Sequence, residues 1–295
     1  MATNNTTKEY IKVLKTAYDK LSKGKGSLLK LINESELSES VFNSNAIENS
    51  TLTLKETERI LMEMAISRNV SVREVFEAKN LARVMEYIRT KSVEPDFSAE
   101  LILLLHKMLM GNINDSIAGR FRKKGEYVRV GTHIAPAPEH LERMIEEIIL
   151  AYSADQSSYF IDKVARFHLD FETIHPFNDG NGRMGRLIIN YQFGRLGFPD
   201  IIIRDKEKPT YYKSFGEYKD LKKTRMMEKI LSLALTESLH KRIAYLQGDE
   251  IITLADYAKA NKKSVNTLLN AARRQTIPAF REKGVWKIGK FKIGS

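Results

Sequence analysis

His175-Pro176-Phe177-Asn178-Asp179-Gly180-Asn181-Gly182-Arg183-Met184-Gly185-Arg186 decides how the rest of the chain is read. It gathers an imidazole, a carboxylate, an asparagine between two glycines and two arginines into one short run. A Gly-Asn-Gly turn lets the backbone come close to a ligand and aim several N–H groups at one point. Beyond it, Met184, Leu187, Ile188 and Tyr191 fall at i, i+3, i+4 and i+7, so the spacing predicts a helix with an apolar face. A glycine-rich turn that opens a helix is an anion site, because free N–H groups and the helix dipole both favour negative charge. Arg183 and Arg186 are three apart and are expected to lean over one phosphate chain from one helix face. Asp179 is a single carboxylate just before the turn, and one carboxylate with phosphate oxygens and water is how proteins usually hold Mg²⁺. His175 sits where it could take a proton from an attacking hydroxyl.

The run resembles the signature of the Fic family, His-x-Phe-x-(Asp/Glu)-Gly-Asn-Gly-Arg-x-x-Arg, with every defined position filled. The resemblance implies an all-α core with a small β-hairpin flap, and an enzyme that transfers AMP from ATP to a protein hydroxyl and releases pyrophosphate. Carried over by position, His175 would be the general base and Phe177 a buried anchor. Asp179 would hold Mg²⁺, while Gly180, Asn181 and Gly182 would cradle the α- and β-phosphates. Arg183 would contact the outer phosphates and Arg186 the γ-phosphate. The related Doc kinases carry Lys where this chain has Gly182, so the glycine favours nucleotide transfer over phosphorylation.

Ser44-Asn45-Ala46-Ile47-Glu48-Asn49 lies far upstream. By itself it reads as a short surface helix at about 38–50 with an ordinary glutamate. It also resembles the family's inhibitory motif, (Ser/Thr)-x-x-x-Glu-(Gly/Asn). The implied role is a latch in which Glu48, supported by Ser44, pairs with Arg186 and blocks the productive nucleotide pose.

Composition sets bounds around this reading. The chain has 295 residues, 42% hydrophobic, and no cysteine, which excludes disulfides and thiolate metal sites and fits a reducing compartment. No apolar run reaches bilayer length and the first residues do not read as a signal peptide, so a cytoplasmic protein without a membrane partner is expected. Net charge is +11, and residues 253–295 carry ten Lys/Arg against Asp256 and Glu282, or +8 of it. That tail therefore suggests an acidic partner.

Three regions are expected: 1–95, helical and bearing the inhibitory segment; 96–248, the Fic core; and 249–295, a small α+β winged-helix-like unit. A helical pattern runs from Glu9 to about Leu31 and breaks at Lys23–Gly26, and Thr53 with Glu56 reads as a capping box opening a helix to about Arg68. Tyr127 to Pro138 suggests a hairpin. In the family such a flap pairs with the target segment by strand addition, with Thr132, His133 and Ile134 as candidate clamps. His106 and His168 read as structural. The family places a tyrosine and an asparagine around the adenine; Tyr212 fits the first, but Lys219 stands at the second. Gln247-Gly248-Asp249 reads as a linker, and the helix-turn-helix-hairpin after Thr253 resembles an excisionase-like winged helix. Its second helix would present Asn270, Arg273 and Arg274 to DNA and its wing would lie on the DNA backbone. A protein-docking unit with a solvated basic face fits equally.

The partners expected are ATP, a target protein offering a Ser, Thr or Tyr hydroxyl (the chain itself or a second copy in a homodimer included), and DNA or a protein for the tail. Two rivals stand beside transfer: removal of AMP by the same site, with Glu48 orienting a water, and a DNA-binding regulator whose Fic domain is secondary.

Overall fold

The computed structural model describes residues 3–63, 70–91, 96–131 and 133–290. α1 (Asn5–Ser22) is capped by the Asn4 side chain, and α2 (Gly26–Ile47) follows a turn in which Gly24 has φ +72°. The expected short helix at 38–50 is thus the end of a 22-residue helix, because no breaker separates Ser27 from Ile47. The Thr53–Glu56 capping box opens α3 (Leu54–Glu58), which widens into a π turn over Arg59–Glu63; Arg68 lies outside the described residues. α4 (Val72–Lys91) and α5 (Ala99–Met110, capped by Ser98) lead to a hairpin, β1 (Arg129–Val130) and β2 (His133–Ile134). Then come α6 (Leu141–Ala154), α7 (Phe160–Ile174), α8 (Asn181–Arg195), α9 (Lys208–Leu221) and α10 (Arg225–Gln247).

The helix expected after the glycine turn is α8, and it runs through the middle of the molecule. Met184, Leu187, Ile188 and Tyr191 join a cluster shared with α4, α5 and α7, while Ile189 and Phe193 join a second cluster with α1, α9 and α10. A helix that is apolar on both sides is buried on both sides. The turn in front of α8 is therefore held on a rigid support.

Polar groups are also buried, along a seam between α2, α10 and the tail. Glu36 takes Lys241 (3.1 Å) and Arg242 (2.7 Å), and these two cations outweigh burial to hold its carboxyl at about 2. Glu39 pairs with Arg204, and Glu237 pairs with Arg204 (3.0 Å) and Arg281 (2.5 Å). Buried charges persist where they are paired and hydrogen-bonded, as these are.

The tail forms β3 (Glu250–Thr253), α11 (Leu254–Ala260), α12 (Val265–Arg273), β4 (Ala279–Glu282) and β5 (Val285–Lys290), with strand order β3-β5-β4. Leu254, Ala258, Leu268, Ala272, Ala279 and Ile288 make its own apolar cluster. β3 follows directly on the residues read as linker and ends on the Thr253 cap, an extra strand beyond the expected hairpin; Gly248 ends α10 at φ +75°, and Ile251 and Ile252 then pair with β5. The wing also departs from its expected placement. Its tip turns toward the carboxylates of the preceding helices rather than outward: Gly284 N–H donates to Glu39 (3.2 Å), Lys283 pairs with Glu58 (2.8 Å), and Arg281 with Glu207 (2.9 Å). In this arrangement the wing tip is not free to lie on a DNA backbone. Asn270, Arg273 and Arg274 are exposed on and just after α12.

Candidate active site

α7 ends at His175, which adopts a left-handed φ of +49° while its N–H still donates to Phe171 (2.9 Å). Arg122 then fixes the chain, donating from Nε to the His175 carbonyl (2.9 Å) and from its backbone N–H to the Pro176 carbonyl (3.0 Å). Phe177 is fully buried and stacks on the His106 ring at 3.6 Å. His106 accepts from Gly119 N–H at Nδ1 and donates from Nε2 to the Asp179 carbonyl, 3.1 Å each. Burial pushes its pKa down to about 4, so it stays neutral and keeps this donor-acceptor pattern. Sequence reading missed that His106 shapes the loop; its partner is 73 positions away and no local signal marks it.

Asn181 closes the loop. Its side chain accepts from Phe177 N–H (2.9 Å) and donates to the Phe177 carbonyl (2.8 Å). What Asn181 can offer an anion is therefore its backbone N–H, not its amide. Gly180 caps α8 at φ +82°, a conformation suited to glycine. The first N–H groups of α8, at Asn181, Gly182 and Arg183, have no acceptor within the helix and give the turn its positive end.

The two arginines diverge, unlike the expectation that both lean over one ligand from one face. Arg183 is buried between Glu77 and Asp179, 3.3 Å from each, and Asp179 also pairs with Arg73. Arg186 turns the other way: Nη2 donates to Glu48 (2.8 Å) and to the Ser44 carbonyl (2.8 Å), and Nε donates to the Ser44 hydroxyl (3.0 Å). Burial opposes its charge, but the Glu48 carboxylate and Tyr211 outweigh that and hold its pKa above the ordinary value. Gly182 permits this contact, because a Cβ there would run into the Glu48 carboxylate.

Two cavities flank the Glu48–Arg186 pair. One, of about 380 Å³, is lined by His175, Glu172, Arg186, Tyr211, Tyr212 and Lys219 among others; the second, of about 270 Å³, by Arg73, Asp179, Gly180 and Arg183 among others. Glu48 lines both and stands between them. A larger cleft of about 660 Å³ between α1 and α10 is lined by hydroxyls and cations but offers no anion cradle with a base beside it.

His175 is mostly buried, and burial lowers its pKa to about 4 against the opposing pull of the Glu172 main-chain carbonyl. It is therefore a neutral imidazole at pH 7, ready to accept a proton. The hairpin rims the larger of the two cavities through Val130, Gly131 and His133. His133 is tied down, its Nε2 donating to the Thr173 carbonyl (2.8 Å), whereas Ile134 is 72% exposed; Thr132 lies outside the described residues. Tyr212 lines the cavity and donates to the Ile47 carbonyl (3.2 Å), and Tyr211 is buried behind it against His168 (2.8 Å). His168 is buried and neutral, as a structural role requires.

Gly185 marks the tightest point behind the site. A Cβ there would lie 2.5 Å from Glu172 Oε1 and 2.6 Å from the His168 ring. Gly185→Ala is expected to cost about 1–3 kcal/mol by overpacking. Chemical denaturation would show this as a lower midpoint at an unchanged slope.

Comparison with known proteins agrees with this geometry. Residues 96–193 match the Fic/DOC family. The chain is 32% identical over 181 residues to a protein adenylyltransferase Fic of Nematostella vectensis, a match covering 60% of this chain and 42% of that protein. The chain spans less than half the length of such curated relatives. A Fic-domain-containing signalling protein from Bacteroides thetaiotaomicron superposes with a TM-score of 0.74 at 25% identity, covering 81% of this chain and 97% of that one. A Fic family protein from Desulfovibrio desulfuricans shares the fold over 97% of both chains, with a TM-score of 0.60 at 19% identity. Residues 96–193, which carry the loop and helix α8 described above, thus form a domain that matches the Fic/DOC family.

Proposed function

We propose that this chain is a protein adenylyltransferase that moves AMP from ATP to a hydroxyl of a target protein and is held in check by Glu48. The observation that carries the reading is a neutral His175 in one of two cavities that meet at Glu48, with the positive end of α8 beside both. In this reading the target hydroxyl attacks the α-phosphate in line, His175 takes its proton, and pyrophosphate leaves. The N–H groups of Asn181, Gly182 and Arg183 hold developing charge, the Arg183 side chain meets the outer phosphates, and Arg186 receives the γ-phosphate once Glu48 lets go. Tyr212 walls the base, and β1–β2 with Ile134 aligns the target strand.

Mg²⁺ fits the donors present in one way only. Among the described residues no three metal-ligating side chains cluster, while Asp179 offers one carboxylate in the cavity of Gly180 and Arg183. That suits an ion that arrives on ATP and keeps its waters. Asp179 would hold it, and when bound it would neutralise charge on the phosphates. The pairing of Asp179 with Arg73 and Arg183 would loosen as the ion binds.

The exposed face of α12 supports an acidic partner, protein or DNA, reached without the wing. The test of the main reading is incubation with α-labelled ATP and Mg²⁺. Label is expected on the chain itself, and none in His175→Ala. Label from γ-labelled ATP would instead mean phosphorylation, and release of AMP from a modified protein would favour the removal reaction.

A further inference from the structure

Glu172 has no part in the chemistry above, yet it lines the same cavity as His175. It is one turn before His175 on α7, and its side chain is only 10% exposed. Oε2 lies 3.9 Å from His175 Nδ1. Oε1 is buried with no hydrogen-bond partner and lies close against Gly185 and the His168 ring. An orphaned buried carboxyl oxygen is costly and calls for a reason.

We propose that Glu172 is a positioning residue for His175: its main-chain carbonyl holds the imidazole, and its carboxyl, 3.9 Å from Nδ1, supplies the counter-charge when Nε2 takes the target's proton. This rests on the transfer reading above. With Nδ1 facing Glu172, Nε2 is the nitrogen left to meet a hydroxyl in the cavity. In the step, the hydroxyl O–H breaks and its proton goes to Nε2. The oxygen bonds the α-phosphorus and the bridging P–O bond to pyrophosphate breaks. The positive ring then lies beside Glu172.

The groups facing Glu172 set when it can act. They are Glu48 at the end of α2, Arg186 on α8, His168 and His175 on α7, and Tyr211 and Tyr212 on α9, with His133 of the hairpin beyond His175. Burial first, and then the charge of Glu48, push its carboxyl up to about 8, with Arg186 opposing. As pH rises through that value Glu172 ionises and the counter-charge appears. Withdrawal of Glu48 removes one of the causes that keep it protonated, so the same movement that frees Arg186 also favours the ionised form.

The experiment compares Glu48→Gly with Glu48→Gly/Glu172→Gln, following self-labelling from α-labelled ATP between pH 6 and 9.5. Glu48→Gly is expected to gain rate as pH rises, on a limb that lies at lower pH than in a chain keeping Glu48, whose charge helps hold Glu172 protonated. The Gln variant is expected to lose that rise, with kcat about 10-fold lower at pH 9 and KM for ATP within about twofold. Parallel pH profiles, or a loss confined to KM, overturn the proposal. Should Gln fail to fold, Glu48→Gly/Glu172→Asp keeps a carboxylate and should keep a rising limb; a flat profile there overturns it equally. No label from Glu48→Gly at any pH removes the transfer reading itself, and this proposal with it.

Discussion

Glu48→Gly is expected to raise AMP incorporation about 10- to 100-fold over the unaltered chain. The estimate follows from the contact it removes. A hydrogen bond to a charged group contributes about 1.5–3 kcal/mol, and each 1.4 kcal/mol is a factor of ten. Arg186 is buried and makes this bond at 2.8 Å, but the Glu48 side chain is 35% exposed, so solvent screening puts the effect toward the lower end. The gain has two parts. Arg186 keeps both hydrogen bonds to Ser44 when Glu48 goes, so it stays oriented while its charge becomes available. The two cavities also lose the side chain between them. Glu48→Gln separates these parts, since it removes the charge and keeps the bulk; its activity should fall between the two. ATP affinity measured by calorimetry should rise in Glu48→Gly whether or not His175 is present, whereas Glu48→Gly/His175→Ala should lose about 10²–10⁴-fold in rate, as removal of a general base does. Equal labelling and equal ATP affinity with and without Glu48 would sink the latch.

The loop and α8 were legible because their signals are local. The glycines and the following apolar period sit within a few residues, and the turn and helix they predict stand where expected. The divergence of Arg183 and Arg186 was not legible. Each follows a carboxylate distant in sequence, Glu77 for one and Glu48 for the other. The same cause hid α2. Glu36, Ser38, Glu39, Ser40, Asn43, Ser44 and Asn45 look like a solvated face, yet all are buried. Arg242, Arg204 and Arg186, from distant parts of the chain, meet Glu36, Glu39 and Ser44. Residue type predicts burial of apolar groups well, but burial of charge depends on partners that only the fold supplies. The wing was misplaced for this reason too, since its tip follows Glu39, Glu58 and Glu237.

Glu237→Ala should be the most destabilising single change in this seam. One carboxylate there accepts from Arg204 (3.0 Å), from Arg281 Nε (2.9 Å) and Nη2 (2.5 Å), and from the Arg281 backbone N–H (2.9 Å). It is 7% exposed, and although burial works against its charge, Arg204 and Arg281 keep its pKa low. Removing it strands two guanidiniums in a buried place, a change that costs about 3–5 kcal/mol in comparable pairs. Arg204 would keep Glu39 and Arg281 would keep Glu207, which limits the loss to the lower part of that range. At roughly 2–4 °C per kcal/mol for a chain of this size, Tm should fall by about 10 °C. The exposed pair Lys290–Glu250, 4.0 Å apart, is the control: Glu250→Ala should leave Tm within about 1–2 °C. The two ends of the seam give the result a second reading. Glu39 meets both Arg204 and the wing tip, and it lies on the helix that presents Ser44 to Arg186. Hydrogen exchange in Glu237→Ala should therefore quicken in β4–β5 and in the last turns of α2 while α8 stays protected. Loss of protection spread evenly over α7 and α8 would mean that the seam contributes to the whole core and does not brace the tail against α2.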